Sequence, residues 1–105
     1  MHKNITTMDL YLFSDINNGL FNEIRGKLDN LTENEEITLH VNSYGGDVAA
    51  GWAIYDALRQ AEGHTIKAIV EGVCASMATV IILAATKENR KATLLCEMKM
   101  QLFPA

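Results

Sequence analysis

At 105 residues the chain is long enough for one domain with a modest core and too short for two. A formal net charge of −4, with no cluster of Lys or Arg, argues against a nucleic-acid or anionic-membrane partner. Cys74 and Cys96 lack metal-ligand spacing, Met1-His2-Lys3-Asn4 lacks the apolar run of a signal peptide, and the longest apolar stretch, Met77 to Ala85, is too short to cross a bilayer. The expectation is a cytoplasmic protein in a reducing compartment, with no metal and no membrane.

Met8 to Phe13 reads as a first strand, closed by the polar pair Ser14-Asp15. Asn17 or Asn18 can cap a helix running to about Leu31, with Leu20, Ile24, Leu28 and Leu31 on one face. After the acidic turn Thr32 to Glu35, the segment Glu36 to Val41 alternates Ile37, Leu39 and Val41 against Thr38 and His40, the period of a strand. The turn Asn42-Ser43-Tyr44-Gly45-Gly46-Asp47-Val48 leads into a helix over Ala49 to Ala61, with Ile54, Tyr55, Leu58 and Ala61 in one stripe and Gly63 at the expected C′ position. Thr65 to Glu71 is a third strand and Gly72 to Ala75 a turn. Ser76 opens a third helix, apolar nearly all round and therefore buried. Beyond a polar loop at Lys87 to Arg90, Lys91 to Cys96 reads as a fourth strand. Alternating strands and helices predict an α/β fold of βαβ units with right-handed crossovers and a largely parallel sheet.

Two strand-to-helix turns carry the chemistry. Paired glycines at the first leave bare N–H groups that can hold an anion or a developing oxyanion. The second, Gly72-Val73-Cys74-Ala75-Ser76-Met77, leaves the next strand in sequence. In a parallel sheet both turns emerge at the carboxyl edge, where ligands bind. Ser76 then lies near the Gly45-Gly46 amides, either as an N-cap of the third helix or as a nucleophile beside an oxyanion hole.

Asn42-Ser43-Tyr44-Gly45-Gly46-Asp47-Val48, then Gly51 and Ala53-Ile54-Tyr55, then Gly72-Val73-Cys74-Ala75-Ser76-Met77-Ala78, together resemble the Clp-type serine peptidase family. The fold implied is that of the ClpP and crotonase group. Gly-Gly-Asp-Val looks most like the branch found in phages and prophages. The resemblance covers roughly Met8 to Ala92. It implies Ser76 as nucleophile, the N–H groups of Gly46 and Met77 as oxyanion-hole donors, and Gly45 and Val48 against the substrate, Val48 near the pocket for the residue preceding the cleaved bond. Tyr44 stands where the family has proline. The resemblance further implies hydrolysis of polypeptides through an acyl-enzyme, no cofactor, a homo-oligomeric ring enclosing the sites, and an ATP-driven unfoldase as partner in the housekeeping branch.

The family's catalytic histidine falls at or near Gln101, and its aspartate beyond Ala105. The stretch Leu94 to Ala105 does not read like the family, so residues 1–105 are expected to be one incomplete peptidase domain with a truncated, frameshifted or chimeric end. His64 is expected roughly 20 Å from Ser76, at the far sheet edge. His40 points into a helix layer or a subunit contact, and His2 lies in the N-terminus. Lys91 and Lys99 are alternatives as base or solvated side chains. Asp47 is a base-orienting residue or an N-cap; Cys74 an alternative nucleophile or a buried thiol; Trp52 and Tyr55 subunit-contact or core residues. Three functions follow: a serine endopeptidase whose base is missing from this chain, a non-catalytic assembly subunit, and a crotonase-like acyl-CoA enzyme.

Overall fold

Apolar side chains at every second position pin the strands to a helical layer on one face of the sheet. A computed structural model describes residues 6–61, 63–86, 92–96 and 101–103. The strands are β1 (Thr6–Leu12), β2 (Glu35–Ser43), β3 (Ile66–Ala75), β4 (Ala92–Cys96) and β5 (Gln101–Phe103). The helices are α1 (Asn18–Leu28), α2 (Val48–Arg59) and α3 (Met77–Ile82), with a 3-10 turn at Leu83–Thr86. All described strand pairs are parallel, in the order β1-β2-β3-β4, with β5 beside the last residues of β3. Because the order advances one way, right-handed crossovers put the connecting helices on the same face.

That face carries Leu10 and Leu12, Ile37, Leu39 and Val41, and Ile66, Ala68 and Val70, all fully buried. Leu20, Ile24 and Leu28 of α1 and Ala50, Ile54, Ala57 and Leu58 of α2 close over them. Each large apolar side chain so buried stabilises the fold by about 1.5–3 kcal/mol. The other face bears Asp9, Tyr11, Thr38, His40 and Glu71, half-buried or exposed.

Several boundaries differ from the sequence reading. Helix α1 ends at Leu28, with Asp29 as C-cap, three residues short of Leu31. Helix α2 ends at Arg59 with Gln60 as C-cap, so Gly63 is not its C′ residue, although its φ is +89°. The segment Gly72 to Ala75 is not a turn but the end of β3, because Cys74 pairs with Ser43 and Val73–Ala75 pair with β5. Helix α3 is only six residues long. It is apolar as expected and buries Met77, Ala78, Ile81 and Ile82, whereas Leu83 of the following 3-10 turn is exposed.

Candidate active site

The Gly-Gly turn is held against two other segments of chain. The Gly45 carbonyl accepts from the Ile16 N–H (3.0 Å), and the Asp47 N–H donates to the Ile16 carbonyl (2.8 Å). The Gly45 N–H donates to Ser43 Oγ (3.1 Å). In such a parallel bridge the central residue, Gly46, directs its own N–H away from the partner strand. Among the described residues no hydrogen bond engages it. Gly45 (φ +109°) and Gly46 (φ +154°) both lie where L side chains are disfavoured. A β-carbon on Gly45 would lie 2.7 Å from Ser76 Cβ and 3.2 Å from Met77 N, and one on Gly46 would lie 2.7 Å from Ile16 N. The two turns named in the sequence are therefore in direct contact.

Ser76 has φ 53° and ψ −125°, and it is the sole described residue other than glycine with positive φ. Such a conformation costs on the order of 1–3 kcal/mol and persists only when the surroundings impose it. It turns the chain sharply from β3 into α3. The side chain is exposed and makes no N-cap hydrogen bond, so the capping role open to it in the sequence is not the one it takes. Its carbonyl instead accepts from the Thr79 N–H (2.9 Å) and from Thr79 Oγ1 (2.6 Å). Met77 is the first residue of α3, where an N–H has no intrahelical acceptor. The site thus presents a strained, uncommitted hydroxyl where Gly45 meets Ser76 and Met77, with the uncommitted amide of Met77 within that contact and that of Gly46 one residue along the chain from it.

The remaining candidates fall as follows. Asp47 caps α2, accepting from the Ala50 N–H (2.7 Å). Val48 begins α2 and is 59% exposed, which excludes a core role, and Tyr44 is 76% exposed. Cys74 is fully buried, as a nucleophile could not be. Trp52 is half exposed and meets Tyr55 edge-to-face at 5.4 Å, while Tyr55 packs on the core. His64 precedes β3 and bonds the Glu35 carbonyl through Nδ1 (2.8 Å), at the opposite end of the strand from Ser76.

His40 does not enter the helix layer. On the helix-free face its Nδ1 meets Glu71 Oε1 (2.5 Å), its Nε2 meets Asp9 Oδ1 (2.9 Å), and its ring stacks on Tyr11 at 4.7 Å. Burial disfavours its charged form, but the hydrogen bonds and charges of Glu71 and Asp9 outweigh burial and raise its pKa above the usual histidine value. Neither His40 nor His64 adjoins Ser76. His2, Lys91 and Lys99 lie outside the described residues. Gln101 is the first residue of β5, in register with Val73, three positions before Ser76.

The sequence reading missed the loop after β1. Ser14 and Ile16 grip the Gly-Gly turn through backbone atoms, and backbone contacts leave no pattern in residue types. Ser43, buried and polar at the end of an apolar-alternating strand, was the one available signal.

A parallel sheet whose carboxyl edge joins a Gly-Gly turn to a serine on a strained strand-to-helix corner defines an α/β scaffold of the ClpP type. The family model "Clp protease" matches residues 2–101, reaching past both ends of the Met8 to Ala92 resemblance. The chain belongs to the Clp protease family. It is 36% identical over 86 residues to "ATP-dependent Clp protease proteolytic subunit 3" of Synechococcus sp. (strain CC9605), covering 79% of this chain and 42% of that protein. With "ATP-dependent Clp protease proteolytic subunit 2" of Treponema denticola it shares 36% identity over 93 residues, 86% of this chain and 46% of that protein. It superposes on the ClpP protease catalytic domain from Plasmodium falciparum with a TM-score of 0.73 at 28% identity, over 90% of this chain and 53% of that one. For ClpP1 from Listeria monocytogenes the TM-score is 0.67 at 32% identity, over 72% and 45%. The chain therefore spans about half the length of the relatives it matches.

Proposed function

We propose that this chain carries the nucleophile and oxyanion hole of a Clp-class serine endopeptidase acting on polypeptides. Ser76 Oγ attacks the scissile carbonyl, forming the O–C bond. The carbonyl π electrons move onto oxygen, where the N–H groups of Gly46 and Met77 receive the charge. The serine proton passes to a base from outside the described residues, the oxyanion collapses, the C–N bond breaks and the amine departs with that proton, leaving an acyl-enzyme that water hydrolyses. Gly45 and Val48 border the substrate, Gly45 by lying flush against Ser76 and Val48 as an exposed apolar residue at the rim. The supporting observation is the contact of Gly45 with Ser76 and Met77, which joins the Gly-Gly turn to the uncommitted Ser76 hydroxyl. No cofactor enters this chemistry. A cytoplasmic location, a homo-oligomeric ring, an ATP-driven unfoldase and a prophage origin belong to the same proposal.

A second reading is favoured by the placement of His40 and His64 away from Ser76: a subunit that keeps the fold for assembly and has no base of its own. One experiment separates the two. Under the first, a fluorophosphonate labels Ser76, by peptide mass spectrometry, once the family's histidine segment is supplied on the same polypeptide, and Ser76→Ala abolishes labelling. Under the second, the isolated chain is unlabelled and co-sediments with a complete Clp proteolytic subunit. Equal labelling of the Ser76→Ala variant would remove Ser76 from the chemistry.

A further inference from the structure

Gly45, Gly46 and Asp47 have six backbone hydrogen-bonding groups, of which four are engaged by described residues. Gly45 donates to Ser43 Oγ and accepts from Ile16, and Asp47 donates to Ile16 and accepts from Gly51. Ser43 is only 3% exposed and is a buried polar residue within an otherwise apolar face. Its hydroxyl accepts from Gly45 at 3.1 Å while donating to the Ser14 carbonyl at 2.8 Å. Among the described residues it is thus the one side chain that ties the turn to the loop after β1, with the Ile16 backbone supplying the second tie.

We infer that Ser43 is a positioning residue for the oxyanion hole: its hydroxyl ties the turn to the Ser14 carbonyl and so seats the loop whose Ile16 holds the peptide that carries the Gly46 N–H. This rests on the reading of Ser76 as nucleophile. The Gly45 carbonyl and the Gly46 N–H belong to one peptide plane, so the bond from the Ile16 N–H to that carbonyl sets the direction of the Gly46 N–H. Ile16 lies two residues beyond Ser14, the residue that the Ser43 hydroxyl fixes to the turn. Without that hydroxyl the Gly45 N–H and the Ser14 carbonyl both lose a partner, the loop after β1 loosens, and the Gly46 N–H moves with the plane. Hydrogen bonding to an oxyanion weakens steeply with angle. The buried hydroxyl also explains itself in this way: an unpaired one would be costly, whereas here both its donor and an acceptor site are used.

The test compares two ligands on the full chain. A peptidyl boronate forms a tetrahedral adduct that needs the hole, whereas the same peptide as an unreactive amide needs only the substrate groove. Ser43→Ala and Ser43→Cys, the latter keeping the volume but bonding poorly, should each weaken boronate affinity by about tenfold or more, short of the roughly 10²–10³-fold of deleting an oxyanion donor because here the donor is displaced rather than removed. Amide affinity should stay within about twofold, and Ser43→Thr, which keeps the hydroxyl, should restore boronate binding. A simple loss of fold would lower both affinities together. If the wild-type chain binds the boronate through Ser76 but Ser43→Cys binds it equally well, the positioning role is wrong while the peptidase reading stands. If Ser76→Ala binds the boronate as tightly as the wild type, the peptidase reading fails and takes this inference with it.

Discussion

Gly45 shows how little room the site leaves at the level of single residues. A methyl group there meets Ser76 Cβ at 2.7 Å and the Ala75 carbonyl oxygen at 3.0 Å, on a backbone with φ +109°. None of these is the far end of a flexible side chain, so the clash cannot be relieved by a rotamer change. Gly45→Ala should therefore destabilise the fold by roughly 2–4 kcal/mol, from overpacking together with left-handed strain. Urea unfolding measures this directly, and a change under about 0.5 kcal/mol, the level of ordinary surface substitutions, would mean that the two turns are not in contact. The glycines were legible in the sequence because their residue type permits those backbone angles. Whether the Ser76 side chain caps α3 was not. It depends on φ and ψ, which Thr79 and the contact with Gly45 help to set.

Among the elements, β3 departs most from its sequence pattern. Gly72 suggested a turn, yet the strand runs on to Ala75 because Ser43 and β5 supply pairing partners that are distant in sequence. Asn42 bridges the irregularity between β2 and β3, its Oδ1 accepting from the Val73 N–H at 3.1 Å. Just below it, His40 joins β1, β2 and β3 through Asp9 and Glu71. Its folded pKa is raised, so its contribution is full below the unfolded value near 6.5 and is lost as pH rises through the folded pKa. The unfolding free energy of the wild type relative to His40→Gln should therefore be greater at about pH 5.5 than at about pH 8.5. An NMR titration should place the His40 pKa above the usual histidine value. A difference that is flat across this range, or that grows with pH, would show that the two carboxylates do not hold the imidazolium. Strand alternation put His40 off the apolar face, but it could not say that no helix among the described residues covers that side.

At the scale of the whole molecule, the alternation of strands and helices was enough to give the parallel α/β architecture, and strand order then puts the helices on one face. What residue patterns could not give was the convergence of three loops at the carboxyl edge, those after β1, β2 and β3. The first of them contributes through backbone atoms of Ser14 and Ile16. The central claim is that Ser76 and the amides of Gly46 and Met77 surround one carbonyl carbon. It is tested most directly by amide-resolved NMR of the chain bound to a peptidyl boronate. Boron should bond to Ser76 Oγ, and the Gly46 and Met77 amide protons should move downfield together as each gains a charged acceptor. Attachment at another residue, or a Ser76 adduct that leaves both amide resonances in place, would contradict it.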